Sequence, residues 1–158
     1  AFVDGEYEIK QNWDVRSPFF VYSIVPKWQG FPIEASFATV EDIQNTIISI
    51  AKENGYDLTE PIAVKIEGEF DQIAAHIVTP RNPEVEGYRP GVKSQKFPLS
   101  QSKGEIIGFY SRNHQGIFTH GNSYVHLHFI KADKSFMGHI DAIQTEKREY
   151  TVYLPRRE

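Results

Sequence analysis

Residues 124–141 read YVHLHFIKADKSFMGHID, and their reading sets both the fold and the site. In a strand, residues i and i+2 project from the same face, so His126 and His128 stand side by side while Leu127 and Phe129 turn toward a core. The intervening KADKSFMG contains Asp133 and Gly138 and is long enough to reverse the chain. The strand that begins at Gly138 then runs back antiparallel, and His139 lies across from the H-x-H pair. Three imidazoles converge with no help from a distant segment. Three neutral imidazoles with an open fourth position form a typical catalytic zinc site, in which the metal polarises an oxygen or activates water. Imidazole also suits copper, iron and nickel, so zinc is a preference of the donor set. The competing reading keeps the same three residues as ordinary polar groups on the wet face of a hairpin.

Further strands lie on either side of this hairpin. GEIIGFYS (104–111) precedes it, and GHIDAIQ (138–144) and REYTVYL (148–154) follow, separated by turn chemistry. PIAVKIEGEF (61–70) alternates, with Ile62, Val64 and Ile66 on one face, and IAAHIVTP (73–80) is an apolar strand. SPFFVYSIV (17–25) is a run of aromatic and β-branched residues and predicts a buried strand. In the opening FVDGEYEI, the Asp4-Gly5 pair predicts a hairpin turn.

The one clear helix is TVEDIQNTIISIAKEN (39–54). Thr39 can cap it, Glu41 and Asp42 suit its positive first turn, and Gly55 ends it. Ile43, Ile47, Ile50 and Ala51 fall on a single stripe. Residues 79–98 gather Pro80, Pro83, Pro90 and Pro98 with Gly87 and Gly91, which predicts a long irregular loop. The sum is an α+β domain of mostly antiparallel, barrel-like sheet with one main helix packed on it, a single domain over residues 1–158.

Composition bounds the partners. The chain has 158 residues, enough to bury a core, and 40% hydrophobic against 24% charged residues sets disorder and fibrous classes aside. A net charge of -4 and a pI near 5.9 supply no basic field for phosphate backbones, so nucleic acid is not expected as a partner. No run approaches a membrane span and no apolar leader opens the chain, so neither membrane nor signal peptide is expected. A first residue of Ala reads as a processed or trimmed start, which leaves the compartment open between cytoplasm and export. The absence of cysteine restricts any metal to His, Asp or Glu. Of the other histidines, His114 and His120 sit in a Gly- and Asn-rich loop and read as solvent-facing, whereas His76 reads as a hydrogen-bonded, partly buried strand residue.

The block GEIIGFYS…SYVHLHFIKADKSFMGHI resembles the signature region of the acetolactate decarboxylase family, with its G-x-x-V-G-F strand, H-L-H-F strand, short turn and G-H strand. Upstream, VDGEYEI resembles the family's L-D-G-E segment, SPFFVYSIV its T-P-F-A strand, and AVKIEGEFDQIAAHIVTPRNP its A-x-R-I-x-G-x-F-x-x-V-x-x-R-x-V-P segment. The resemblance runs in order over nearly the whole chain. It implies a zinc ion held by His126, His128 and His139, which chelates the ketone and hydroxyl oxygens of 2-acetolactate or a related 2-hydroxy-3-keto acid while CO2 leaves. It implies a proton donor at Glu6, from the D-G-E segment. The family's substrate-carboxylate arginine falls on His76, with Arg81 as the alternative if the register shifts. A further glutamate from the family's C-terminal tail has its only counterpart in Glu158 of the closing LPRRE. Histidine cannot make the bidentate fork of arginine, so two other readings stay open. One is a metal enzyme acting on a different oxygenated substrate without decarboxylation; the other is a non-catalytic small-ligand module. A homodimer is left open.

Overall fold

A computed structural model describes residues 2–3, 6–7, 21–78, 94–119 and 121–157. Its elements are β1 (Phe2–Val3), β2 (Glu6–Tyr7), β3 (Trp28–Phe37), α1 (Val40–Glu53), β4 (Ile62–Val78), β5 (Ser94–Tyr110), β6 (Val125–Lys131) and β7 (Met137–Pro155). Every strand pairing is antiparallel, and the architecture is the expected α+β sheet with one helix against it. β1 and β2 pair antiparallel as a small sheet of their own, with Phe2 opposite Tyr7, while Asp4 and Gly5 lie outside the described residues. The larger sheet runs β3-β7-β4-β5-β6, and β6 also pairs with β7. That last pairing closes β4, β5, β6 and β7 into a ring, while β3, paired with the C-terminal half of β7, is an edge strand among the described residues.

The ring forms because three strands are long and bend without breaking. Residues 62–78 and 137–155, which alternation divides into separate strands, are continuous as β4 and β7. The bend has a local chemistry. Gln101 takes φ 43 in β5, and beside it Asp71 accepts from Gln101 Nε2 at 3.0 Å, from the Glu146 amide at 2.8 Å and from the Arg148 guanidinium. One carboxylate therefore ties β4, β5 and β7 together, and the hydrogen bond from the Arg148 guanidinium lowers its pKa.

In the core, Ile66, Phe70, Ile73, Ile106, Leu127, Phe129 and Val152 are buried together. α1 adds Ile43, Ile47, Ile50 and Ala51, the stripe expected of it. Its first turn carries a capping box: Thr39 accepts from the Asp42 amide, and Asp42 accepts from the Thr39 amide. Gly55 follows at φ 73, the left-handed stop that glycine makes cheap. Buried Gln44 accepts from the Tyr124 amide at 2.7 Å and so fixes where β6 begins. No helix among the described residues is long and apolar enough to cross a membrane.

Two expectations need correction. Residues 21–25 of the expected buried strand form no strand, and Tyr22 and Ile24 are 71% and 84% exposed. β-propensity describes a fit to neighbouring strands more than an intrinsic backbone preference, so an aromatic and β-branched run need not become a strand; residues 17–20 of it lie outside the described residues. The strand comes later, as β3, where Pro32 disguises it; a proline is tolerated there because β3 is an edge. The expected loop over 79–98 ends sooner. Residues 94–98 already pair with β4, with Pro98 opposite Ala74, while 79–93 lie outside the described residues. On β5, β6 pairs with residues 104–110, so among the described residues no strand meets the other side of Pro98, where its missing N–H costs no ladder bond.

Candidate metal centre

The face of the ring turned away from the core carries the histidines. Val125, Leu127 and Phe129 of β6 are buried, while His126 and His128 between them are half-buried on the opposite face. His139 in β7 is the direct partner of His128 and, on its other side, of His76 in β4. Three strands thus place His128, His139 and His76 in one row, with His126 a pleat away. The alternation of β6 and the β6–β7 turn were legible in the sequence; the third strand was not.

His126, His128 and His139 bring ligand atoms within 4.8 Å of one another and together could hold a metal ion. The rings of His126 and His128 stack at 5.1 Å, and His139 stands nearly perpendicular to both, at 4.9 and 5.3 Å. His126 Nε2 lies 3.0 Å from His128 Nε2. Two nitrogens bound to one tetrahedral zinc at about 2.0–2.1 Å would stand roughly 3.3 Å apart, close to that separation.

Protonation fits as well. The Phe118 carbonyl can only accept, so its hydrogen bond with His126 Nδ1 puts the proton on Nδ1 and leaves the Nε2 lone pair facing the cluster. Burial, with the His126 and His76 rings adding to it, pushes His128 from 6.5 down to about 4, so it is neutral and able to ligate at physiological pH.

His76 is 21% exposed in its side chain, with its ring 5.0 Å from that of His139. Its Nδ1 bonds to Asp141 Oδ1 at 2.7 Å, so Nε2 is the end left for other contacts. It is hydrogen-bonded and partly buried, as expected, yet it belongs to the histidine row. Asp141 reaches it through a bulge: pairing passes from Ala75–Ile140 to Ala74–Ala142, and the extra residue is Asp141. The sequence placed Asp141 two residues after His139, which was the available signal for a shared face. The Phe118 carbonyl left no such signal, because any residue could supply it.

His114 does not join the cluster. Its Nδ1 bonds with Ser111 Oγ at 2.6 Å, and its ring stacks on Phe118 at 4.8 Å, so it braces the loop that supplies the Phe118 carbonyl. Glu6 lies in β2, opposite Val3. Arg81, His120 and Glu158 lie outside the described residues.

Comparison with known proteins gives a consistent result. A family model for alpha-acetolactate decarboxylase matches residues 4–155. The alpha-acetolactate decarboxylase of Brevibacillus brevis is 27% identical over 150 residues, covering 89% of this chain and 50% of its own length. The crystal structure of alpha-acetolactate decarboxylase from Bacillus subtilis strain 168 matches with TM-score 0.66 and 25% identity, over 89% of this chain and 58% of that one. A Staphylococcus aureus protein of unknown function, similar to alpha-acetolactate decarboxylase, shares the fold at TM-score 0.56 and 18% identity, over 82% of this chain and 52% of its own. The chain thus spans about half the length of these relatives. With the family model matching nearly from end to end, the chain belongs to the alpha-acetolactate decarboxylase family.

Proposed function

We propose that this chain is a zinc-dependent decarboxylase acting on 2-acetolactate or a related 2-hydroxy-3-keto acid, releasing CO2 and an acetoin-type product. The observation that carries the reading is the convergence of His126, His128 and His139 in a chain of this family. A divalent cation held there supplies an electrophilic centre for the electron pair that stays behind when CO2 leaves.

The rest falls to the chain's own groups. Neutral imidazoles present lone pairs, and the Phe118 carbonyl keeps one of them in the right tautomer. The substrate C–C bond to the carboxylate breaks, and its electron pair remains on the substrate carbon. Glu6, as the resemblance suggests, holds the proton that this carbon receives and regains one from solvent. His76, fixed through Asp141, borders the reacting groups with its Nε2. Arg81 and Glu158 are proposed on the resemblance alone, Arg81 as the alternative to His76 at the substrate carboxylate and Glu158 as a further acid in the site.

Release of CO2 and acetoin from 2-acetolactate by the zinc-loaded protein tests the reading, with His139→Ala as control. Turnover that disappears together with bound zinc is expected; turnover retained in His139→Ala sinks it. His76 in place of an arginine favours a second reading, a metal-dependent reaction on another oxygenated substrate. Zinc binding without CO2 release across a panel of 2-hydroxy-keto acids would select it.

A further inference from the structure

The histidine row does not end at His76. On its other side His76 is paired with Lys96 of β5, so Lys96, His76, His139 and His128 stand in register across four adjacent strands. The face is fixed by the neighbouring pair. Ala75 is buried opposite Phe97, which packs against the core and lies 5.2 Å from the Phe136 ring. Alternation then turns His76 and Lys96 away from the core together, onto the face that carries the triad. Directly opposed residues of an antiparallel pair have Cβ atoms about 4.5–5.5 Å apart. Lys96 is exposed and has no ion pair among the described residues. Asp141, the carboxylate on the far side of His76, is engaged by it.

We propose that Lys96 is the specificity-determining cation of this site, the residue that receives the carboxylate of an anionic 2-hydroxy acid. The assignment deepens the decarboxylase reading and rests on it for the substrate class. Three neutral imidazoles give a metal no negative charge to oppose and the substrate's carboxylate no partner; the row supplies that partner two strand spacings, roughly 10 Å, from His139. The flexible four-carbon stem of lysine spans the interval that His76 occupies, and its ammonium acts as a point charge with no need for a fixed fork. A small acid whose hydroxyl and ketone oxygens face the triad then directs its carboxylate along the row, past His76 and toward Lys96. Because the contact exists before and during bond breaking, it governs binding more than the chemical step.

The probe is 2-hydroxyisobutyrate, which has the hydroxyl and carboxylate but no ketone, with its methyl ester as the uncharged counterpart. Calorimetric titration of the zinc-loaded protein is expected to show the anion bound about tenfold more weakly by Lys96→Met, with most of the affinity restored by Lys96→Arg. Ester binding and zinc affinity are expected to stay unchanged, and high salt to shrink the difference between wild type and Lys96→Met. Equal anion affinity in wild type and Lys96→Met overturns the assignment, as does failure of the wild type to prefer the anion over the ester. If the anion binds through Lys96 and no CO2 is ever released, the lysine stands and the decarboxylase reading falls. If 2-acetolactate is turned over with the same KM in Lys96→Met, the reading stands and the lysine falls.

Discussion

At the scale of single residues, His128 ties the site to the acid stability of the protein. Its folded value of about 4 lies below the ordinary 6.5, because burial disfavours the imidazolium and the His126 and His76 rings oppose it further. Between those two values the unfolded chain binds a proton that the folded chain does not, so stability rises with pH across the window and falls as pH drops through it. The loss from this residue amounts to roughly 1.4 kcal/mol per pH unit and stops growing once the folded form also protonates. Urea unfolding of the metal-free protein across the window is expected to show that slope, and His128→Asn to flatten it. An unchanged slope in the variant would place the acid sensitivity elsewhere. The same depression keeps a lone pair available for a metal where an exposed histidine would already be partly protonated.

At the scale of elements, the placement of the H-x-H pair depends on how closely β6 approaches β5. A Cβ built on Gly108 would lie 1.9 Å from the His126 carbonyl oxygen, and one on Gly104 would lie 2.2 Å from the Ile130 carbonyl oxygen. Both distances are to backbone, which cannot swing aside as a side chain can. Gly108→Ala is therefore expected to push β6 outward at the metal residue itself. Zinc affinity should drop at least tenfold, the size of effect seen when the supports of metal ligands are lost. A competition titration with a zinc-binding dye measures it, and unaltered affinity would mean that β6 is not held by this approach. The spacing of the two glycines was visible in GEIIGFYS, but their purpose was not. Glycine in a strand signals either a bulge or a close backbone contact, and only the partner strand distinguishes the two.

At the scale of the whole molecule, the metal-site face and the core face of the ring are separate, which predicts how the protein responds to chelation. The core contains Phe70, Phe129, Tyr150 and their neighbours and needs no metal to cohere, unlike a zinc finger. If the triad holds zinc, removing it is expected to lower the unfolding free energy by the linkage energy, about 4 kcal/mol when free zinc stands at a thousand times its Kd, to lower Tm accordingly, and to leave the far-UV spectrum of a folded sheet protein. Collapse of that spectrum on chelation would show instead that the histidines hold the ring closed. The sequence by itself determined the elements whose signals are local: the capped helix from Thr39, the pairing of β1 with β2, the two faces of β6 and the turn that brings His139 back to His128. Those follow from side-chain period and turn chemistry, which neighbours in the chain dictate. Tertiary structure alone decided that β3 is a strand despite Pro32 while residues 21–25 are not, because pairing and edge position override propensity. It also decided that His76 stands between His139 and Lys96 in the sheet and that Asp141 bonds to His76. A strand's alternation tells which side a residue faces, but its lateral neighbours are set by sheet order and register, and those exist only once the ring has closed.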